Sequence, residues 1–169
     1  MRASYLSAVA ALLACLTWGR GARAFEREWH LGGGLGAAAA NGYALGPAVN
    51  LYAAYGLTDA FDLRVELAGS RSATQPEPAY LYGGKVAFVY KLDVIQWIPY
   101  LGVAGGYLRL TERVAPFALG QPTAGFIGGL DYAVSRSLGL GVAGTYDYAF
   151  HPTAGYANAF LRAEYHFGF

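Results

Sequence analysis

From Glu28 onward the chain alternates between two kinds of position. Trp29, Leu31, Gly33, Leu35 and Ala37 fall on one parity, and Glu28, His30, Gly32, Gly34 and Gly36 on the other. A period of two puts successive side chains on opposite faces of an extended chain, so the run predicts a strand with one apolar face. Seven further runs repeat the pattern. Val49, Leu51, Ala53, Tyr55 and Leu57 oppose Asn50, Tyr52, Ala54 and Gly56; Phe61, Leu63, Val65 and Leu67 oppose Asp62, Arg64, Glu66 and Ala68. The fourth sets Tyr80, Tyr82, Val86, Phe88 and Tyr90 against Lys85, Ala87 and Lys91, and the fifth sets Leu101, Val103 and Tyr107 against Tyr100, Gly102, Ala104 and Gly106. Phe126, Leu130, Tyr132 and Val134 oppose Gly125, Gly129 and Asp131, and Leu138, Leu140, Val142, Tyr146 and Tyr148 oppose Gly139, Gly141, Thr145 and Asp147. The eighth places Ala159, Leu161, Ala163, Tyr165, Phe167 and Phe169 against Asn158, Phe160, Arg162, Glu164 and His166.

Eight strands of about ten residues have the length that a membrane-spanning β-strand needs. The connections are expected to alternate as well. Short ones fall at 58–60, 93–96 and 135–137, and longer ones at 40–44, 70–79, 110–123 and 151–155, the asymmetry of an up-and-down barrel with turns at one end and loops at the other. Pro76, Pro78, Pro116, Pro122 and Pro152 are placed in loops, and Pro47 and Pro99 at strand starts, where a missing ladder donor is tolerated.

Alternation does not say which face points inward, because a soluble lipocalin-like binding barrel of the periplasm has the same period with its apolar face inside. The distribution of charge decides. Within the runs every charged residue lies on the non-apolar parity, and the rest of that face is largely Gly, Ala and Tyr, which suits a crowded lumen better than a solvated exterior. Aromatic residues collect near both ends of the apolar face, as at two bilayer interfaces: Trp29, Tyr55, Phe61, Tyr90, Trp97, Tyr132 and Tyr165 at one end, Tyr80, Tyr82, Tyr107, Tyr148 and Phe150 at the other. Arg109 is expected to be the one charge out of phase, at the loop edge within reach of headgroups.

Composition sharpens this picture at the N-terminus. Arg2, the apolar segment 5–18 and the Ala22-Arg23-Ala24 triplet read as a secretory signal peptide spanning 1–24, too short to cross a bilayer as a helix, with the barrel domain at 25–169. Leu12-Leu13-Ala14-Cys15 also fits a lipidation box loosely. A mature start at Phe25, read by mass spectrometry, separates the two. Of 12 basic residues, Arg2, Arg20 and Arg23 leave with the leader, so nine remain against 11 acidic ones, and Cys15, the single cysteine, leaves as well. Thiol chemistry and cysteine-ligated metals are thereby excluded, and the absence of a basic stripe argues against nucleic acid.

With these residues in place, the sequence resembles the small eight-stranded outer-membrane β-barrels of the OmpA and OmpX type. The likeness covers residues 26–169. It rests on the architecture, on the terminal strand 161–169 with Tyr165, Phe167 and Phe169 alternating to a final Phe, and on the turn 55–59 (YGLTD). The resemblance implies an all-β, antiparallel up-and-down transmembrane barrel of a Gram-negative cell envelope. It also implies insertion by a barrel-assembly machinery that reads the last strand, lipid and lipopolysaccharide as neighbours, and a monomer.

Candidate chemistry lies first in the lumen, where Glu28, His30, Asp62, Arg64, Glu66, Lys85, Lys91, Asp131, Asp147, Arg162, Glu164 and His166 are expected to point. Glu28, His30, Arg162, Glu164 and His166 should meet where the first and last strands close the barrel, and Arg64, Glu66 and Lys85 should cluster on adjacent strands. The favoured reading is an ion-pair network that plugs the interior, with a structural, interaction or minor small-solute role for the protein; a gated polar path is the competing one. His30 and His166, expected to face each other near the periplasmic rim with Glu28 and Glu164, offer a metal-binding alternative, but no close-spaced ligand motif such as HxxxH exists and they are read as satisfied lumen histidines, with no metal and no cofactor. An enzymatic alternative, a lipid A hydrolase, would need a nucleophile and base at the outer surface, and His151-Pro152-Thr153 is the only approximate match. A palmitoyltransferase reading offers Ser70, Ser72 and Thr74 without a histidine. Adhesion by the loops 70–79 and 110–123 is a further possibility.

Overall fold

The computed structural model describes residues 28–41, 43–72, 79–92, 96–111, 120–150 and 153–167. The expected leader with Cys15, and the terminal Phe169, lie outside them. Eight strands follow in order: β1 (Trp29–Ala40), β2 (Tyr43–Thr58), β3 (Phe61–Ser72), β4 (Ala79–Lys91), β5 (Trp97–Thr111), β6 (Gln121–Ala133), β7 (Leu138–Phe150) and β8 (Thr153–Phe167). Each pairs antiparallel with its chain neighbour, and β8 closes on β1 through a register that sets Trp29 opposite Phe167 and Ala40 opposite Tyr156. Closure leaves no sheet edge across the shared width of the wall, so the paired segments of the eight strands find their backbone partners within it. The shortest strands have 12 residues and the longest 16, enough to cross a hydrocarbon layer and project beyond it.

Side-chain parity sets which face is which. Leu35 and Leu161 on the outside are 71% and 70% exposed, whereas Asp62 and Arg64 on the inside are 0% and 1% exposed. In water this arrangement would be inverted, because charges belong in solvent and large apolar side chains away from it. An apolar solvent outside makes it favourable. The lipocalin-like alternative, with its apolar face inward, is thereby rejected.

Aromatic rings pair along the rims of the outer face. Trp29 and Tyr55 lie 5.0 Å apart, Trp97 and Tyr132 4.9 Å, and Phe61 and Tyr90 5.1 Å at the turn end, with Tyr148 and Phe150 at 5.8 Å at the loop end. Two of the short turns are closed by a hydroxyl. Thr58 Oγ1 accepts from the amides of Ala60 and Phe61 at 3.3 and 3.2 Å, and Ser135 Oγ from those of Ser137 and Leu138 at 3.3 and 3.1 Å. A Ser or Thr that opens a turn offers the backbone this local partner.

Several boundaries differ from expectation. The expected loops 40–44 and 151–155 shrink to two residues each, since Ala40 pairs with Tyr43 and Phe150 with Thr153. Asn41-Gly42 is itself the dipeptide of a two-residue hairpin, a signal stronger than the polarity of the flanking residues. Pro122 lies inside β6, facing outward opposite Tyr107, and Pro47 is the fifth residue of β2 rather than its start. Ladder pairing thus extends past the alternating runs at the loop end. This also makes Arg71 a strand residue, exposed on the outer face, so Arg109 is not alone out of phase.

Candidate functional site: the barrel lumen

All 12 residues expected in the lumen are there, none more than 9% exposed. Six are carboxylates (Glu28, Asp62, Glu66, Asp131, Asp147, Glu164), four are Lys or Arg (Arg64, Lys85, Lys91, Arg162), and two are the histidines. Eight strands enclose a space just wide enough for side chains, so these groups must compensate one another at close range.

The centre is a pair of arginines held between two tyrosines. Arg162 donates through Nη2 to Asp131 Oδ2 at 2.7 Å and to Glu164 Oε2 at 2.8 Å, and through Nη1 to Tyr100 Oη at 2.8 Å. Its guanidinium carbon lies 4.7 Å from the ring centres of both Tyr52 and Tyr100, and that of Arg64 lies 4.5 and 5.1 Å from the same two rings. Aromatic faces attract cations, and Arg in particular stacks on them, so the rings hold two like charges that would otherwise repel. Tyr52 Oη in turn donates to Glu164 Oε2 at 2.8 Å.

Small residues make this possible. Tyr52 pairs across the sheet with Gly32, and Tyr100 with Gly129; a Cβ on Gly32 would fall in the Tyr52 ring and one on Gly129 in the Tyr100 ring. Each ring therefore lies over a strand position left empty for it.

Toward the turn end, His30 and His166 sit directly opposite one another on β1 and β8, their rings stacked with centres 4.3 Å apart. Glu164 Oε1 lies 2.8 Å from His166 Nε2 and 3.4 Å from His30 Nδ1, and Glu28 Oε2 lies 4.0 Å from His166 Nδ1. The expected meeting of Glu28, His30, Arg162, Glu164 and His166 is thus what the register produces. Lys91 pairs with Asp62 at 2.9 Å nearby.

The other expected cluster divides. Lys85 joins Asp147 at 2.9 Å and Glu66 at 3.7 Å, with Asn158 donating to Thr145 at 2.9 Å alongside, but Arg64 turns to the tyrosine rings and not to Glu66. Beyond this waist the lumen becomes apolar. Ala38, Ala48, Leu81 and Tyr156 are buried and join Val89, Ile127 and Phe160 in one cluster, with Ser70 Oγ and Tyr156 Oη 2.8 Å apart at its edge.

Tyr52, Tyr100 and this apolar collar were not singled out by the sequence reading, although all fall on the inward parity. Parity marks a side chain as internal; only register shows that a tyrosine faces a glycine or that two arginines share it. The interior retains little space, with cavities of about 20 Å³ beside Lys85 and about 10 Å³ beside Arg64 and Arg162. A larger cavity of about 330 Å³ opens at the turn end against Asp131, Arg136, Glu164 and His166. On the outer face Arg109 lies 5.9 Å over the Tyr82 ring, at the side of a shallow groove. Of the enzymatic candidates, His151 and Pro152 lie outside the described residues and Thr153 is a strand residue paired with Phe150. Ser70 and Ser72 end β3, bonded to Tyr156 and to the carbonyl of Ala44.

No protein-family model and no curated protein matches the chain. Solved structures do. Neisserial surface protein A, NspA, superposes with a TM-score of 0.70 at 17% identity over 83% of this chain and 96% of its own. The outer membrane protein OprG of Pseudomonas aeruginosa does so with a TM-score of 0.64 at 10% identity, covering 88% of this chain and 100% of its own. The outer membrane enzyme PagL matches with a TM-score of 0.53 at 12% identity over 80% of this chain and 97% of its own. At these identities the likeness establishes the fold, which is that of the small eight-stranded transmembrane barrels.

Proposed function

We propose that the chain is an integral outer-membrane barrel with a structural or surface-interaction role and a plugged lumen, and that it is neither a diffusion channel nor an enzyme. The observation that carries this reading is the double stack of Arg64 and Arg162 between Tyr52 and Tyr100. It occupies the lumen beneath the apolar collar, and among the described residues the cavities lined by Arg64, Arg162 and Lys85 are no larger than a water molecule or two, while the larger one at the turn end stops against Asp131 and Glu164. The outward apolar coat and the outer-membrane neighbours support the location.

In planar bilayers the purified barrel is expected to leave the baseline flat, and stable single-channel steps would overturn the plug. Fractionation should place the protein in the outer membrane with heat-dependent gel mobility; recovery in the soluble periplasm would reject the location. Lipid A should have the same mass with and without the protein, since a change would restore the hydrolase reading. In the same proposal the terminal strand is the address for assembly. Deleting Phe169 should lower outer-membrane levels, and unchanged levels would remove that role. The barrel is proposed to act as a monomer among lipid and lipopolysaccharide.

A further inference from the structure

The charge balance of the lumen is incomplete. Its six carboxylates face only four Lys and Arg side chains among the described residues, and one of the two carboxylates in excess lies at the turn end, where Glu28 sits beside two histidines. Three observations there point the same way. His30 is 99% buried and, with its Nδ1 turned to Glu164 Oε1 at 3.4 Å, its Nε2 has no hydrogen-bond partner; Glu28 Oε2, also buried, has none either. Buried polar atoms are almost always satisfied, so two such groups side by side ask for a missing third party. One ligand atom from each of Glu28, His30 and His166 lies within 4.8 Å of the other two.

We propose that Glu28, His30 and His166 bind a divalent transition-metal ion of the zinc type at the turn end of the barrel. The tautomers follow from Glu164. Its Oε1 takes the Nε2–H of His166 at 2.8 Å and lies 3.4 Å from Nδ1 of His30, which leaves the lone pairs on His166 Nδ1 and His30 Nε2. His166 Nδ1 then faces Glu28 Oε2 at 4.0 Å, acceptor against acceptor, an arrangement that a cation between them makes favourable.

Zinc takes imidazole nitrogen and carboxylate oxygen at about 2.0–2.2 Å, so the three ligand atoms must close by roughly 1 Å, within the reach of side-chain torsions. Glu164 behind both imidazoles is the carboxylate that commonly orients a histidine ligand. It is itself held by Arg162 and Tyr52 at 2.8 Å each. An ion would bring two positive charges to a lumen short of them. The cavity of about 330 Å³ at the turn end reaches His166 and provides the way in.

The site is tested on the folded, metal-stripped barrel in detergent by titration with Zn²⁺ in a calorimeter, and with Co²⁺, whose visible absorption reports tetrahedral coordination. One saturable site per chain is expected. His30→Gln and Glu28→Gln should each weaken it by about 10-fold or more, whereas His151→Gln, at the third histidine of the chain, should leave it unchanged. Heat-dependent gel mobility reports folding of each variant, and Glu28→Gln, which precedes β1, serves if His30→Gln does not fold. Absence of a saturable site, or equal affinity in the folded variants, would overturn the proposal. The bilayer recordings above read the plug independently, so either conclusion can fail without the other.

Discussion

On the turn side of the lumen, Glu28 just before β1 is joined by His30, Asp62, Arg64, Lys91, Asp131, Arg162, Glu164 and His166 from β1, β3, β4, β6 and β8. Past the waist where Lys85 pairs with Asp147 and Glu66, the loop-side collar is formed by Ala38, Ala48, Leu81, Ala149 and Tyr156, with Ser72 and Thr123 the buried polar side chains beside them. Both halves are packed and both are buried. They differ in what breaking them exposes: in the first half a removed side chain strands a charge, and in the second it leaves a void. Buried ion pairs cost more to break than they gain by forming, whereas apolar contacts are lost roughly in proportion to the volume removed.

The largest effect is therefore expected at the hub. Arg162→Ala leaves Asp131 and Glu164 without their shared cation and removes the group that Tyr100 and Tyr52 enclose. Urea unfolding of the barrel in lipid vesicles should show a loss of about 3–5 kcal/mol. A loss below about 1 kcal/mol, the size typical of solvated pairs, would mean that water screens the network and that the two halves are not different in kind.

A smaller loss is expected in the collar. Leu81 is 5% exposed and packs among Ala38, Ala48 and Tyr156, so Leu81→Ala should cost about 2–4 kcal/mol in the same assay. It removes no charge and should leave zinc titrations unchanged. If Leu81→Ala proves costlier than Arg162→Ala, stability resides in the collar and the comparison reverses.

The halves were unequally legible in the sequence. Asp62, Arg64 and Glu66 alternate strictly with Phe61, Leu63, Val65 and Leu67, so the inward face of β3 follows from period alone, and the meeting of His30 with His166 follows once first and last strands pair. The apolar lumen cluster was obscured because Leu81 at the loop end, and Val89, Ile127 and Phe160 farther toward the turns, are apolar on both readings of a strand. An apolar inward residue does not announce itself beside apolar outward ones. Hairpin ends were misplaced for another reason, since strand pairing is made by the backbone and continues past Pro47 and Pro122, which themselves donate no ladder bond, and on to Thr153, regardless of side-chain alternation. The partner of Arg64 needed register, which decides that its neighbours are two rings and not the carboxylate of Glu66.

The smallest effects concern residues with no side chain, and they test whether the central stack is as closely fitted as its ring distances imply. At Gly32 a Cβ would meet the Tyr52 ring and lie 2.8 Å from the carbonyl oxygen of Ala163. The ring has little freedom to move aside, being bonded to Glu164 and stacked by both arginines, so Gly32→Ala should cost about 1–3 kcal/mol through overpacking. Gly139, on β7 at the turn end, is the matched control. Its nearest neighbours to an added Cβ are His166 Nε2 at 3.6 Å and Glu164 Cβ at 3.9 Å, ordinary contact distances. Gly139→Ala should be neutral or raise stability by up to about 1 kcal/mol, because alanine restricts the unfolded chain more than glycine does. If both substitutions are neutral in the urea assay, the tyrosine rings have room to shift and the stack is a loose contact. If only Gly32→Ala is destabilising, the glycine at that position exists to seat Tyr52 over the arginines.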